Sequence, residues 1–236
     1  MWNKLYKQKD LNIWLDISTY CNAACPQCHR TDVRTANKID WLPLVQWSYD
    51  QFKKAFPPSS MEKVNQFQIC GTWGDPMMNN DIYKITEYIV NESKCKMIFN
   101  TNGSMRNSIW WWQFGHLVKD RASVYFCVDG IDQQMHERYR QKTNLDTVLE
   151  NMEAYSEFSK ARALTIVFKH NENYLKEIYN LCVKHGASDH MFIPTDRVHH
   201  QEDFIYYTPH GERQVLQHSP KYGRSEFRTL FKIEDL

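Results

Sequence analysis

Short apolar runs alternate along this chain with longer stretches whose apolar residues recur every three or four positions. The runs at 12–18, 65–71, 95–100, 123–128, 164–168 and 190–193 predict β-strands. Between them, 44–55, 81–92, 108–119, 145–159 and 174–185 carry the helical period. The fourth of these is the clearest, with Leu145, Val148, Leu149, Met152, Tyr155 and Phe158 forming one stripe. Asn144 stands where an N-cap belongs, and Gly186 where the fifth helix would end in a left-handed residue. In "SIWWWQF", three consecutive tryptophans cannot share one helix face, so at least one is expected at the surface.

Strand and helix alternating in this way predict an α/β fold with a parallel sheet and right-handed crossovers. A closed barrel of this kind has about eight strands. Six in the first 196 residues predict an open, partial (β/α)6 TIM-type barrel. Chemistry in such folds gathers at the C-terminal ends of the strands. The polar and glycine-rich motifs fall there: "YCNAACPQC" after the first strand, "GTWGDP" after the second, "NTNGS" after the third, "VDG" at the end of the fourth, "KHNEN" after the fifth and "PTDR" after the sixth. Residues 197–236 are polar, broken by Pro and Gly and without clear period. They are expected to be an irregular extension, a lid or the stub of a second module. His199, His200, His210 and His218 in it are too loosely spaced to predict a second metal site.

Composition narrows the picture little. The chain has 236 residues, 42% of them hydrophobic and 24% charged, with a net charge of +1. No dense basic run favours nucleic acid, and no apolar stretch has the roughly 18 residues of a membrane span. Seven cysteines without a pairing pattern suggest a reducing, cytoplasmic setting.

Three of those cysteines stand in "YCNAACPQCHR" as C-x3-C-x2-C. Disulfides want pairs, and a structural zinc site wants four ligands, which His29, Cys70 or Cys95 would have to complete. An iron–sulfur cube held by three thiolates is the third reading, and it leaves one iron with an open position.

The triplet resembles that of the radical S-adenosylmethionine (radical SAM) enzymes. "ICGTWGDPMMNND" resembles their glycine-rich stretch after strand two, "FNTNGS" their strand-three motif, and "FCVDGID" the strand-four motif of the branch with SPASM or twitch extensions. "YRQKTNLDTVLENM" and "IVFKHNEN" are also similar to segments of that branch. The resemblance implies one 4Fe–4S cluster on Cys21, Cys25 and Cys28, with S-adenosylmethionine on the fourth iron. It implies co-substrate contacts at Gly74, Asp75 and Pro76, at Asn100, Thr101 and Asn102, and at Cys127, Asp129 and Arg140. Gln27 stands where the family usually has an aromatic residue near adenine, and Cys127 where it usually has serine.

No cysteine follows Cys182, so the auxiliary clusters of that branch are not expected, and Cys70, Cys95, Cys127 and Cys182 are expected in the core. The implied reaction is reductive cleavage to a 5′-deoxyadenosyl radical that takes hydrogen from a substrate, a peptide before a small molecule. An external donor of flavodoxin or ferredoxin type is implied. The competing class is a non-catalytic iron–sulfur or zinc sensor.

Overall fold

The computed structural model describes residues 11–195 and 203–222. His199, His200 and the Asp196 and Arg197 of "PTDR" lie outside them. Six strands form one sheet in sequence order: β1 Leu11–Leu15, β2 Val64–Ile69, β3 Lys96–Thr101, β4 Ala122–Cys127, β5 Lys160–Val167 and β6 His190–Pro194. Every neighbouring pair is parallel. The helices are α1 Tyr49–Ala55, α2 Pro58–Met61, α3 Ile82–Glu92, α4 Ser108–Val118, α5 Gln133–Glu137, α6 Leu145–Ser156 and α7 Leu175–Lys184. The result is the expected half-barrel, ending in an arc rather than a ring.

The strands alternate because their two faces meet different surroundings. Phe67, Ile69, Met97, Phe99, Val124, Phe126 and Ala163 are buried in the main core, which takes its other half from the helices. Those helices supply the apolar stripes the sequence predicts: Ile82, Ile85 and Ile89 from α3, Val148, Met152 and Tyr155 from α6, Ile178 and Cys182 from α7. The opposite face of the sheet is mixed and mostly half-buried, carrying Gln66, Gln68, Asn100, Ser123 and Arg162 beside Ile98, Leu164 and Ile166.

Ends follow local chemistry. Asn144 caps α6 by accepting from the Thr147 amide, and Asn107 caps α4 by accepting from Trp110. Gly186, with φ 86°, follows α7 as predicted. Of the three tryptophans, Trp111 is buried and Trp112 is exposed, as their shared helix requires.

Two expectations change. The helix predicted from residue 44 begins at Tyr49, capped by a reciprocal Ser48–Gln51 box. Residues 44–47 instead run antiparallel to the chain beyond β1, with a Ser18–Gln46 bridge and Trp47 donating to Ile17 O. The extension is also not wholly irregular: β7 Asp203–Tyr207 and β8 Arg213–Gln217 form an antiparallel hairpin. It is fastened to the barrel through Tyr207 N–H to Val33 O at 2.7 Å, Tyr206 Oη to Arg138 O at 2.8 Å and a Phe168–His218 bridge.

Candidate active site

The C-terminal rim joins all six strand ends in one network. Cys21, Cys25 and Cys28 lie on the loop after β1, within a small second core of Ala23, Tyr139, Phe168, Tyr206 and Leu216. The hairpin contributes Tyr206 and Leu216, so it helps seal this loop. The loop is braced from below by Arg30, itself buried, whose fork donates to Ala23 O at 3.4 Å and Thr19 O at 3.3 Å.

Two side-chain donors face sulfurs of this loop. Asn102 Nδ2 lies 3.8 Å from Cys21 Sγ, and Arg140 Nη1 lies 3.8 Å from Cys25 Sγ. Burial pushes the Cys21 thiol up, assisted by the Asp75 and Cys25 charges. Burial also raises Cys25, with Arg140 opposing it. Such thiols become thiolates only against strong positive charge, which iron supplies.

The loop after β2 packs directly on the cysteine loop. Asp75 N–H donates to Tyr20 O at 2.7 Å. A Cβ on Gly74 would lie 2.2 Å from Ser18 O and 2.7 Å from Tyr20 O, so glycine here allows loop to meet loop. Pro76 is buried and opens the turn Pro76–Met78.

Asp75 is the hub of this side. It accepts from the Thr101 hydroxyl, 2.9 Å from both carboxylate oxygens, from Asn102 N–H at 2.7 Å and from Met77 N–H at 2.9 Å. A carboxylate has about four lone-pair positions, and these contacts use that capacity. Burial raises the Asp75 carboxyl, while these donors lower it. Asn102 continues the chain to Asn22 Oδ1 at 2.8 Å, and Asn22 donates to Ser104 Oγ at 2.8 Å. Asn100 stands apart from this network, half-buried on the polar face of β3.

On the other side, Arg140 Nε donates to Asp129 Oδ2 at 2.5 Å, with the Arg140 side chain 12% exposed and that of Asp129 fully buried. Asp129 Oδ1 accepts from Ile166 N–H at 2.6 Å, and its carbonyl accepts from Asn171 at 3.1 Å. Arg140, expected from the sequence to meet a co-substrate carboxylate, thus already holds a protein one. Burial raises the Asp129 carboxyl, and the Arg140 guanidinium opposes that shift. Cys127 is buried beside this pair, and burial pushes its thiol up to about 12. Cys95 and Cys182 are buried as expected, whereas Cys70 is half-buried. Gln27 turns inward, its Oε1 accepting from the Thr195 hydroxyl at 2.8 Å.

The network thus includes Cys21, Cys25, Gln27, Asp75, Asn102, Asp129 and Arg140. Arg30, Asn22, Ser104, Asn171 and Thr195 were not singled out as site residues, although the rim motifs quoted above contain all five.

The donor set fits an iron–sulfur cluster: three thiols on one loop, with N–H groups aimed at two of the sulfurs. Among the described residues, no three His, Cys, Asp or Glu side chains converge on a single-ion site. Three thiolates meeting three separate irons do not require such convergence.

The fold and this loop define the class at the level of architecture, a parallel half-barrel with three thiols on its C-terminal rim. The chain is similar to the AdoMet-dependent heme synthase of Oleidesulfovibrio alaskensis, 27% identical over 193 residues, covering 77% of this chain and 45% of that protein. Its fold is similar to Streptococcus suis SuiB bound to precursor peptide SuiA (TM-score 0.60, 13% identity, 78% of this chain and 39% of that one). It is likewise similar to anSMEcpe with bound AdoMet (TM-score 0.60, 16% identity, 78% and 51%). The chain therefore spans about half the length of these proteins or less. No protein-family model matches it. Among the described residues, no helix is long and apolar enough to cross a membrane.

Proposed function

We propose that this chain is the catalytic half-barrel of a radical SAM enzyme. The observation that carries the reading is a C-x3-C-x2-C loop on the C-terminal rim of a parallel six-strand arc, with Asn102 and Arg140 directed at its sulfurs. Cys21, Cys25 and Cys28 would hold one 4Fe–4S cluster, whose open iron would take S-adenosylmethionine. Once reduced by an external donor, such a cluster would pass one electron to the sulfonium, whose carbon–sulfur bond would break to give methionine and a 5′-deoxyadenosyl radical able to abstract hydrogen from the substrate.

The chain's own residues bind, position and shield. Asn102 and Arg140 steady the ligand sulfurs. Asp75 positions Asn102 and the strand-two loop from within, and Asp129 orients Arg140. Gly74, Pro76, Asn100, Thr101, Gln27 and Cys127 shape the surroundings of the co-substrate. The hairpin, through Tyr206 and Leu216, keeps water from the cysteine loop. A peptide is the first substrate class, a small molecule the second. The peptide-bound SuiB complex supports that order, and a one-electron donor protein completes the reaction.

The test is anaerobic reconstitution with iron and sulfide, then dithionite and S-adenosylmethionine. Release of 5′-deoxyadenosine, lost in Cys25→Ala together with the bound iron, is the expected result. A protein that binds a cluster but yields none of that product under these conditions is a sensor instead.

A further inference from the structure

At the seam between hairpin and barrel lies a cleft that the proposed reaction does not use. It measures ≈ 210 Å³ and is lined by Arg138, Lys169, His170, Val215 and Gln217, with no Asp or Glu among them. Arg138 follows α5, and Lys169 and His170 follow β5, so one wall belongs to the C-terminal rim. Val215 and Gln217 of β8 form the other. Two bonds hold the walls together: Tyr206 Oη donates to Arg138 O at 2.8 Å, and Lys169 N–H to Gln217 O at 3.0 Å. The side chains of Arg138 and Lys169 are exposed and take part in none of the ion pairs among the described residues. Asp203, the hairpin acid beside Gln217, is occupied by Gln217 Nε2 at 2.5 Å. Burial, then the Arg138 charge, lowers His170 to about 3, so this ring is neutral and adds a polar edge without a third repelling charge. His170 stacks on Phe168, ring centroids 5.4 Å apart, and Phe168 packs in the small core with Cys25. One aromatic ring thus separates the cleft from the core that holds the cysteine loop. Two solvent-reachable cations on a fixed wall, with no acid to answer them, favour an anion.

We propose that this cleft is an oxyanion subsite for the substrate, seating a carboxylate or phosphate group on the Arg138 guanidinium and the Lys169 ammonium. The fork of the one and the point charge of the other suit either group. The inference rests on the reading above and gives its substrate a charge: the molecule carries an acidic group set apart from the carbon that loses hydrogen. Binding energy collected at such a remote group serves to orient the reacting carbon.

The probes are inorganic phosphate and two capped tripeptides, Ala-Glu-Ala and Ala-Gln-Ala, titrated onto the reconstituted holoenzyme and followed by nuclear magnetic resonance. Phosphate should shift the imidazole resonance that His170→Asn removes. Its affinity should fall about tenfold or more in an Arg138→Gln, Lys169→Gln variant of unchanged circular dichroism. Should that variant not fold, Lys169→Gln alone gives the comparison, since its backbone and not its side chain bonds the hairpin. Competition with phosphate by the Glu peptide, and not by the Gln peptide, supports the subsite and assigns it to a carboxylate. Phosphate binding that neither peptide displaces supports it and assigns it to a phosphate group. Equal affinities in parent and variant overturn the proposal, as does a His170 resonance that neither phosphate nor the Glu peptide moves. These spectra need no S-adenosylmethionine. Should dithionite then release no 5′-deoxyadenosine, the catalytic reading fails while the titrations still decide whether the cleft binds an oxyanion.

Discussion

Gln27 and Thr195, 168 positions apart in the chain, share a 2.8 Å hydrogen bond that ties the cysteine loop to the end of the last sheet strand. Both residues are buried. Gln27→Ala leaves the Thr195 hydroxyl without this acceptor, and a loss of about 1–2 kcal/mol in folding stability is expected. Denaturant unfolding measures it; a midpoint equal to that of the parent protein would mean the tie is energetically idle.

Asp75→Asn keeps the shape of the hub and reverses part of its polarity. Whichever way the new amide turns, its oxygen accepts on one side only and its NH2 group faces either Met77 N–H or Asn102 N–H, so a buried donor is left facing a donor. The expected cost is about 2–3 kcal/mol, or roughly 5–10 °C in Tm for a chain of this size. Differential scanning calorimetry reads the shift, and no change in Tm contradicts the role of the hub.

Asn102→Ala removes an N–H aimed at Cys21 Sγ. Hydrogen bonds to a ligand sulfur favour the more negative, reduced cluster. The reduction potential of the reconstituted cluster should therefore become more negative, with iron content preserved. A redox titration followed by electron paramagnetic resonance gives the sign, and an unchanged or more positive potential rules out this role.

Acid should weaken the fold through its buried histidines. Burial holds His136 and His190 as neutral rings, lowering each to about 3 from 6.5. His136 Nδ1 faces the Asp129 N–H at 3.2 Å, which can only donate, so the ring must accept there and carry its proton on Nε2 toward Thr143. Because the folded pKa is the lower one, the unfolded chain binds more protons between the two values. Stability is then complete above about pH 6.5 and declines as pH falls toward 3. Each ring contributes about 2 kcal/mol of that loss between pH 6.5 and 5. Guanidinium midpoints at those two pH values check it, and the slope should flatten in His136→Asn.

Leu216→Ala empties a fully buried site under the hairpin. A loss of about 2–5 kcal/mol is expected if the hairpin unfolds with the barrel. Faster proteolysis of 203–222 with unchanged global unfolding would instead mean that the hairpin opens on its own.

Much of the fold was legible because six strands and their intervening helices each keep one apolar face, and period alone reports that. The start of α1 was not, since residues 44–47 are apolar enough for a helix, yet tertiary pairing with Ile17 and Thr19 claims their backbone groups. The hairpin was obscured because both of its faces carry apolar residues: Tyr206 is buried, while its neighbours Ile205 and Tyr207 are 45% and 36% exposed. No clean alternation survives, although the turn with Gly211 at φ 82° offered a cue.

At the site, three thiols on one loop could be read from spacing. The partners of Asp75 and Arg140 could not, because a carboxylate or a guanidinium accepts any complementary group the fold delivers. Here the fold delivers Thr101 and Asn102 to one, Asp129 and Cys25 to the other.

In a closed ring of strands, the bore is fixed by strand number and stagger, since every ladder braces the next. Among the described residues this sheet stops at β1 on one side and β6 on the other, and no ladder joins them. Between the loop after β1 and the end of β6 the tie is instead the Gln27–Thr195 hydrogen bond, so a single pair of side chains does there what a ladder would do in a ring.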